Sequence, residues 1–174
     1  MENINLSIAQ KIIRLIGNAI SPKTNQISGI KGKLTLNVYK DGELIDTMID
    51  DNLIVNNGQA WVLDLLSNNT ALFVEKIRIG SSSTAAAVTD TGVTPFSPDF
   101  TKNITPIVTG NVCSYQFTIG TGEANGNTIT EYGLLLDDGT MIARVVKTAI
   151  PKDSSISISG VWDWSIYFNN EFTV

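Results

Sequence analysis

The sequence predicts a mainly β protein: an antiparallel β-sandwich, jelly-roll-like in topology, with one short internal helix and an amphipathic helix at the N-terminus. Three observations predict it. From Ile156 onward the even positions read Ile156, Ile158, Gly160, Trp162, Trp164, Ile166, Phe168, against Ser157, Ser159, Val161, Asp163, Ser165, Tyr167, Asn169 on the odd ones. This period of two marks a strand with one face on a core and the other toward water. Asp41-Gly42 and Asp138-Gly139 each sit between apolar runs, the strongest short hairpin signal a sequence carries. About eight short apolar segments, punctuated by Gly and Asn, complete the pattern of a two-layer antiparallel protein.

In chain order, Leu6 to Ile20 reads as a helix. Ser7, Gln10, Lys11, Arg14 and Asn18 form one narrow polar stripe, and Ser7 with Gln10 has capping-box spacing. Leu6, Ile8, Ile12, Ile13, Leu15, Ile16 and Ile20 make the rest apolar, so this helix must be covered on more than one side. It is too short and too centrally charged for a membrane span, and Glu2 sits where a secretory signal carries positive charge. Three readings follow: it folds back on its own domain, docks into a partner or another copy, or lies on a membrane surface. Ser21 to Gln26 is polar, with Pro22, and reads as a linker. The expected division is therefore 1–26, an anchoring helix and linker, and 27–174, the β-sandwich.

Lys33 to Tyr39 alternates, Lys40-Asp41-Gly42 turns, and Glu43 to Asp50 returns. Leu53-Ile54-Val55 is a short buried piece. Asn57 is placed to cap a helix from Gly58 to about Leu66, with Trp61, Val62, Leu65 and Leu66 inward. Phe73 to Ile79 is a strand. Gly80 to about Thr101, rich in Ser, Ala, Thr and Pro, reads as a long loop, of the kind that forms binding or packing surfaces. Ile104 to Val108 and Val112 to Ile119 pair around Thr109-Gly110-Asn111. Strands flank Asp137-Asp138-Gly139, and the last strand follows the turn Pro151 to Ser155, which predicts three successive antiparallel strands closing the chain. That last strand would run roughly 40 Å at strand rise, so a bend is expected, at Gly160.

Composition narrows the function. The chain has 174 residues, 43% hydrophobic and 17% charged, enough for one folded domain and a short appendage. A net charge of −5 without a basic run argues against nucleic acid as a partner. Histidine is absent, which removes the commonest general base and metal ligand. The one cysteine, Cys113, shares a face with Tyr115, Phe117 and Ile119 and reads as a small buried apolar residue.

No group of residues assembles a nucleophile, a base and an orienting partner, so no catalytic, cofactor or metal site is expected. Gly120 to Gly126 has glycines at the wrong spacing for a phosphate loop and no following helix, and reads as a flexible loop between strands. Asp50-Asp51 and Asp137-Asp138 read as turn residues, without the further oxygen ligands a calcium site needs. Trp162 and Trp164 share a face and read as core. Were they or Tyr115, Tyr132 or Tyr167 exposed in a groove, they would suit a glycan.

Three stretches resemble small virion proteins of tailed bacteriophages. They are Gly32 to Gly42 leading to Asn52-Leu53-Ile54-Val55-Asn56-Asn57-Gly58; Ile77-Arg78-Ile79-Gly80 followed by a Ser/Thr/Ala-rich loop with Asp90-Thr91; and Glu123-Ala124-Asn125-Gly126 through Ile129-Thr130-Glu131-Tyr132-Gly133-Leu134 and Gly139-Thr140-Met141-Ile142-Ala143-Arg144 to the Trp-rich last strand. The likeness covers about Gly32 to Phe168, and the order of the motifs carries it. It implies a non-enzymatic structural protein of the virion, a tail, collar or fibre-associated subunit or a capsid decoration protein, working among other virion proteins and copies of itself as a homo-oligomer. A carbohydrate-binding module for a host glycan is the alternative of a different class.

Overall fold

The computed structural model describes residues 26–169, and the expected N-terminal helix with its apolar residues Leu6, Ile8, Ile12, Ile13, Leu15, Ile16 and Ile20 lies outside them. Gly29–Tyr167 is one compact unit. The described residues form ten strands and one helix: β1 Gln26–Lys40, β2 Glu43–Asp51, β3 Leu53–Ile54, α1 Asn56–Leu66, β4 Val74–Gly80, β5 Pro95–Asn103, β6 Pro106–Thr109, β7 Val112–Ile119, β8 Thr128–Leu136, β9 Met141–Pro151 and β10 Ile156–Asn169. They make two antiparallel five-stranded sheets, one ordered β2-β1-β10-β7-β6 and the other β3-β9-β8-β4-β5.

Alternation places the core. In the first sheet Leu34, Leu36 and Val38 of β1, Tyr115, Phe117 and Ile119 of β7, and Ile156, Ile158, Trp162 and Trp164 of β10 point inward. They share one cluster with Ile77, Ile79, Tyr132, Leu134 and Val145 of the second sheet. Burying this apolar surface from both layers at once is the main driving force for the fold. The turns are set locally: Asp41 and Gly42 both have positive φ (51° and 87°), which matches the twist of a two-residue hairpin. At the other Asp-Gly turn, the Asp138 carboxylate accepts from Thr140 N–H at 2.8 Å.

Several expectations are corrected. The last three strands do not form one sheet, because β10 crosses to the opposite layer and lies between β1 and β7. The reason is the corner before it: Lys152 is 2% exposed, and its ammonium donates to Asn125 Oδ1 and the Asp153 carbonyl, both at 2.8 Å. Such a corner redirects the chain where a hairpin would fold it back.

The long loop ends at Thr94, since Pro95–Asn103 is a strand paired, among the described residues, only with β4. Proline is tolerated there because an edge strand needs no ladder donor on its outer side. Helix α1 starts at Asn56 after Val55, without a side-chain cap, so Asn57 lies inside it. Trp61 and Val62 pack on the core as expected, but Leu65 and Leu66 are exposed. Gly58, the one fully buried residue of α1, sits so close to Ile142 that the first turn is fixed there and the last turn projects. Gln26, read as linker, is already strand.

Gly160 lies within β10, whose register with β7 runs unbroken from Ile158 to Ser165. A Cβ at Gly160 would lie 2.1 Å from the ring of Phe117, its cross-strand partner, so the glycine seats that ring. Phe117 is buried in the shared core, so displacing its ring is costly. Gly160→Ala is therefore expected to cost about 1–3 kcal/mol by overpacking, measured by urea denaturation.

Candidate functional site

The acidic pairs separate on inspection. Asp50 and Asp51 are not turn residues but belong to β2, and Asp50 pairs with the ammonium of Lys147 on β9, joining the two sheets. Asp137 and Asp138 do sit in a turn, bonded to their own backbone. The Gly120–Gly126 loop does join two strands, but it is pinned: the Glu123 carboxylate accepts from Lys102 and from Gly120 N–H, both at 2.7 Å. That pairing with Lys102, then the Gly120 bond, holds the Glu123 carboxyl below its ordinary range. Cys113 is half-buried against the core. Tyr115, Tyr132, Trp162 and Trp164 are buried, and of the aromatics considered for a glycan platform only Tyr167 is exposed. Among the described residues no group of three or more His, Cys, Asp or Glu could hold a metal. No described helix is long and apolar enough to cross a membrane.

The strongest polar feature went unread in the sequence. Strand β8 after Thr128 and the first half of β9, Met141 to Val145, are buried along both faces, and on the face away from the main core lie Glu131 (0% exposed) and Arg144 (4%). Arg144 donates through Nε to Glu131 Oε2 at 2.9 Å and through a terminal nitrogen to Asp90 at 2.7 Å. The other Glu131 oxygen accepts two backbone N–H groups, from Ser82 at 2.9 Å and Thr94 at 2.7 Å. Those two residues are the two ends of the loop. Thr130 Oγ1 donates to the Ser82 carbonyl, and Asn56 N–H to the Val88 carbonyl, adding two more ties at 2.9 and 2.8 Å.

Two glycines give the loop its bed. A Cβ at Gly133 would meet Val93 at 2.8 Å, and one at Gly80 would meet the Thr94 carbonyl at 2.4 Å. With both side chains missing, Val93 reaches down to Leu135, Met141 and Val55 and forms a second, smaller core beneath the loop. Residues 81–94 therefore lack regular structure yet are held at both ends and in the middle. A usable signal was present: Glu131 and Arg144 are single charges inside otherwise apolar strands, and a buried charge requires a partner.

No protein-family model, curated protein or solved structure matches this chain. The reading of its function therefore rests on its own residues.

Electrostatics follow from this geometry. Burial works against the charge on Arg144, but hydrogen bonds to Glu131 and Asp90 outweigh it and leave its pKa raised. The bond from Ala87 N–H, with help from Arg144, holds Asp90 below the ordinary aspartate value of 3.8. A carboxyl whose folded pKa is depressed adds stability above its unfolded pKa and loses it as pH falls through the folded value. Melting temperature is thus expected to fall more steeply below about pH 4 in the parent chain than in Asp90→Asn, as followed by thermal melts across the acid range.

The surface carries apolar side chains in several places. Leu44, Ile45 and Ile49 lie on β2, Leu63 and Leu66 share a face at the end of α1, and Ile107 and Val108 lie on β6; all are at least half exposed. A shallow cleft of about 360 Å³ opens where β6 stops short of the end of β7, lined by Lys102, Asn103, Gln116, Thr118, Ser159 and Val161.

Proposed function

We propose that this chain is a non-enzymatic structural subunit of a tailed-phage virion, on the tail, collar or fibre side, that functions as a homo-oligomer among other virion proteins. Its two sheets are read as a β-sandwich of jelly-roll-like or related topology, and residues 1–25 as its anchor, gripping through Leu6, Ile8, Ile12, Ile13, Leu15, Ile16 and Ile20. The single observation that carries this reading is the set of exposed apolar groups on β2, α1 and β6. A subunit surrounded by neighbours needs several such faces, whereas an isolated monomer gains nothing from them. The clamped loop supports it too, because its buried charges hold residues 81–94 as a rigid surface. Virion assembly then multiplies weak contacts through copy number.

Size-exclusion chromatography with light scattering on the full chain, and on a chain lacking Met1 to Thr24, tests the anchor. The expected result is an oligomer that becomes a folded monomer on truncation; loss of the β fold on truncation places the helix in the core and ends the anchor reading. Antibody labelling of phage particles tests the location. Label on the tail supports the proposal, label on the head moves it to capsid decoration, and no label overturns it.

The second reading, a host-glycan module, draws on the cleft, where amide and hydroxyl groups of Asn103, Gln116, Thr118 and Ser159 converge beside Val161. A glycan array without binding removes it.

A further inference from the structure

Among the described residues, strand β2 is a sheet edge. Its nine residues pair with β1 on one side only, and eight of the nine are exposed. It contains no proline or glycine to blunt it. Register against β1 assigns its faces: Asp46, Met48 and Asp50 oppose Val38, Leu36 and Leu34 and so lie on the inner face. Thr47 and Ile49 oppose Asn37 and Thr35 on the outer face, and Leu44 opposes Tyr39 beyond a bulge.

The charge on this edge is one-sided. Glu43, Asp46, Asp50 and Asp51 make four of the nine residues acidic, and none is basic. Lys33 and Lys40 lie opposite Asp51 and Glu43, one strand further in. Lys147 meets Asp50 from beneath, with its own side chain only 4% exposed. A strand added outside β2 would therefore have only carboxylates as charged neighbours. A second copy of β2 is a poor occupant, since antiparallel self-pairing sets one row of carboxylates against another, and like charges across strands repel. An opposite charge row meets no such penalty, and the outer Leu44, Thr47 and Ile49 would still gain cover.

We propose that β2 is a β-augmentation site for an extended segment of another protein, with basic residues alternating with β-branched or apolar ones. The added strand continues the sheet by main-chain bonding, sets its Lys or Arg beside Asp46 and Asp50, and lays its apolar row beside Thr47 and Ile49. Asp46, whose carboxylate makes no hydrogen bond or ion pair among the described residues, is the position that selects the partner. This inference rests on the edge and its charges alone and stands whether or not the chain belongs to a virion.

The test uses the full-length chain and three synthetic nine-residue peptides with blocked ends. One alternates lysine and valine, one alternates glutamate and valine, and one has the first peptide's composition in two blocks. Isothermal titration gives affinity, and hydrogen exchange locates the contact. The alternating basic peptide is expected to bind, more weakly at high salt, and to slow exchange over residues 43–51; Asp46→Lys should weaken it by at least roughly tenfold. Asp46 is exposed, so this variant keeps its fold, as circular dichroism will verify. The proposal is overturned by no binding, by equal binding of the blocked-composition peptide or of Asp46→Lys, or by protection outside 43–51. It is equally overturned if 43–51 become protected with rising protein concentration alone, which makes a second copy the occupant.

Discussion

Glu131→Ala is expected to destabilise the chain by about 3–5 kcal/mol, the range for removing one partner of a buried ion pair. At this chain length that is a fall in Tm of roughly 6–20 °C. The size follows from what Glu131 leaves behind. Arg144 stays buried with Asp90 as its remaining carboxylate, and the N–H groups of Ser82 and Thr94 lose their acceptor. Hydrogen exchange gives the local readout: residues 81–94 should open before the global transition in the variant and with it in the parent. Replacing both partners, as in Glu131→Leu with Arg144→Met, removes the buried charge and is expected to recover much of the loss. Recovery should stay incomplete, because no apolar side chain can accept from Ser82 and Thr94. An Ala variant within 1 kcal/mol of the parent would mean that the ion pair does not hold the loop.

That network also shows how far the sequence could be read. Hairpins at Asp41-Gly42 and Asp138-Gly139 were legible because their chemistry is local: the turn residues and the flanking alternation lie within one short window. The inward faces of β1, β7 and β10 as far as Trp164 were legible for the same reason, but Ile166, read as inward, is exposed near the strand's end. Sheet membership was not, because whether β10 returns beside β9 or crosses over is set by contacts between distant segments, such as Lys152 with Asn125, 27 positions away. The strand β5 was hidden by its own prolines, which suit an edge but resemble a loop. The loop clamp joins residues 13 to 54 positions apart, so no window reveals it, though the isolated charges of Glu131 and Arg144 hinted at it. The exposed faces that carry the functional reading were the least visible. Leu66 and Ile49 are apolar like core residues, and only burial distinguishes them.

Trp162→Ala is expected to cost a further about 3–5 kcal/mol, as the largest fully buried side chain between the two sheets. Two contributions can be separated. The ring fills the space between the layers, and its indole N–H donates to Asn52 Oδ1 at 3.1 Å. Asn52 is itself fixed, donating its backbone N–H to the Gly32 carbonyl at 2.9 Å, with its side chain over Gly32, where a Cβ would lie 1.6 Å from it. Trp162 therefore ties β10 to the segment between β2 and β3 as well as filling the core. Trp162→Phe keeps most of the ring and loses the donor, so its cost should be smaller, about 1–3 kcal/mol. Trp164→Ala is the control on the same face: Trp164 packs edge-on against Trp61 in the middle of α1, ring centroids 6.1 Å apart, and the helix turn that follows is already open to solvent. If the shared core is what joins the layers, guanidinium denaturation will rank the losses as Trp162→Ala above Trp164→Ala. The reverse order would place the joint at α1 and make the helix, rather than the facing sheets, the element that holds the domain together.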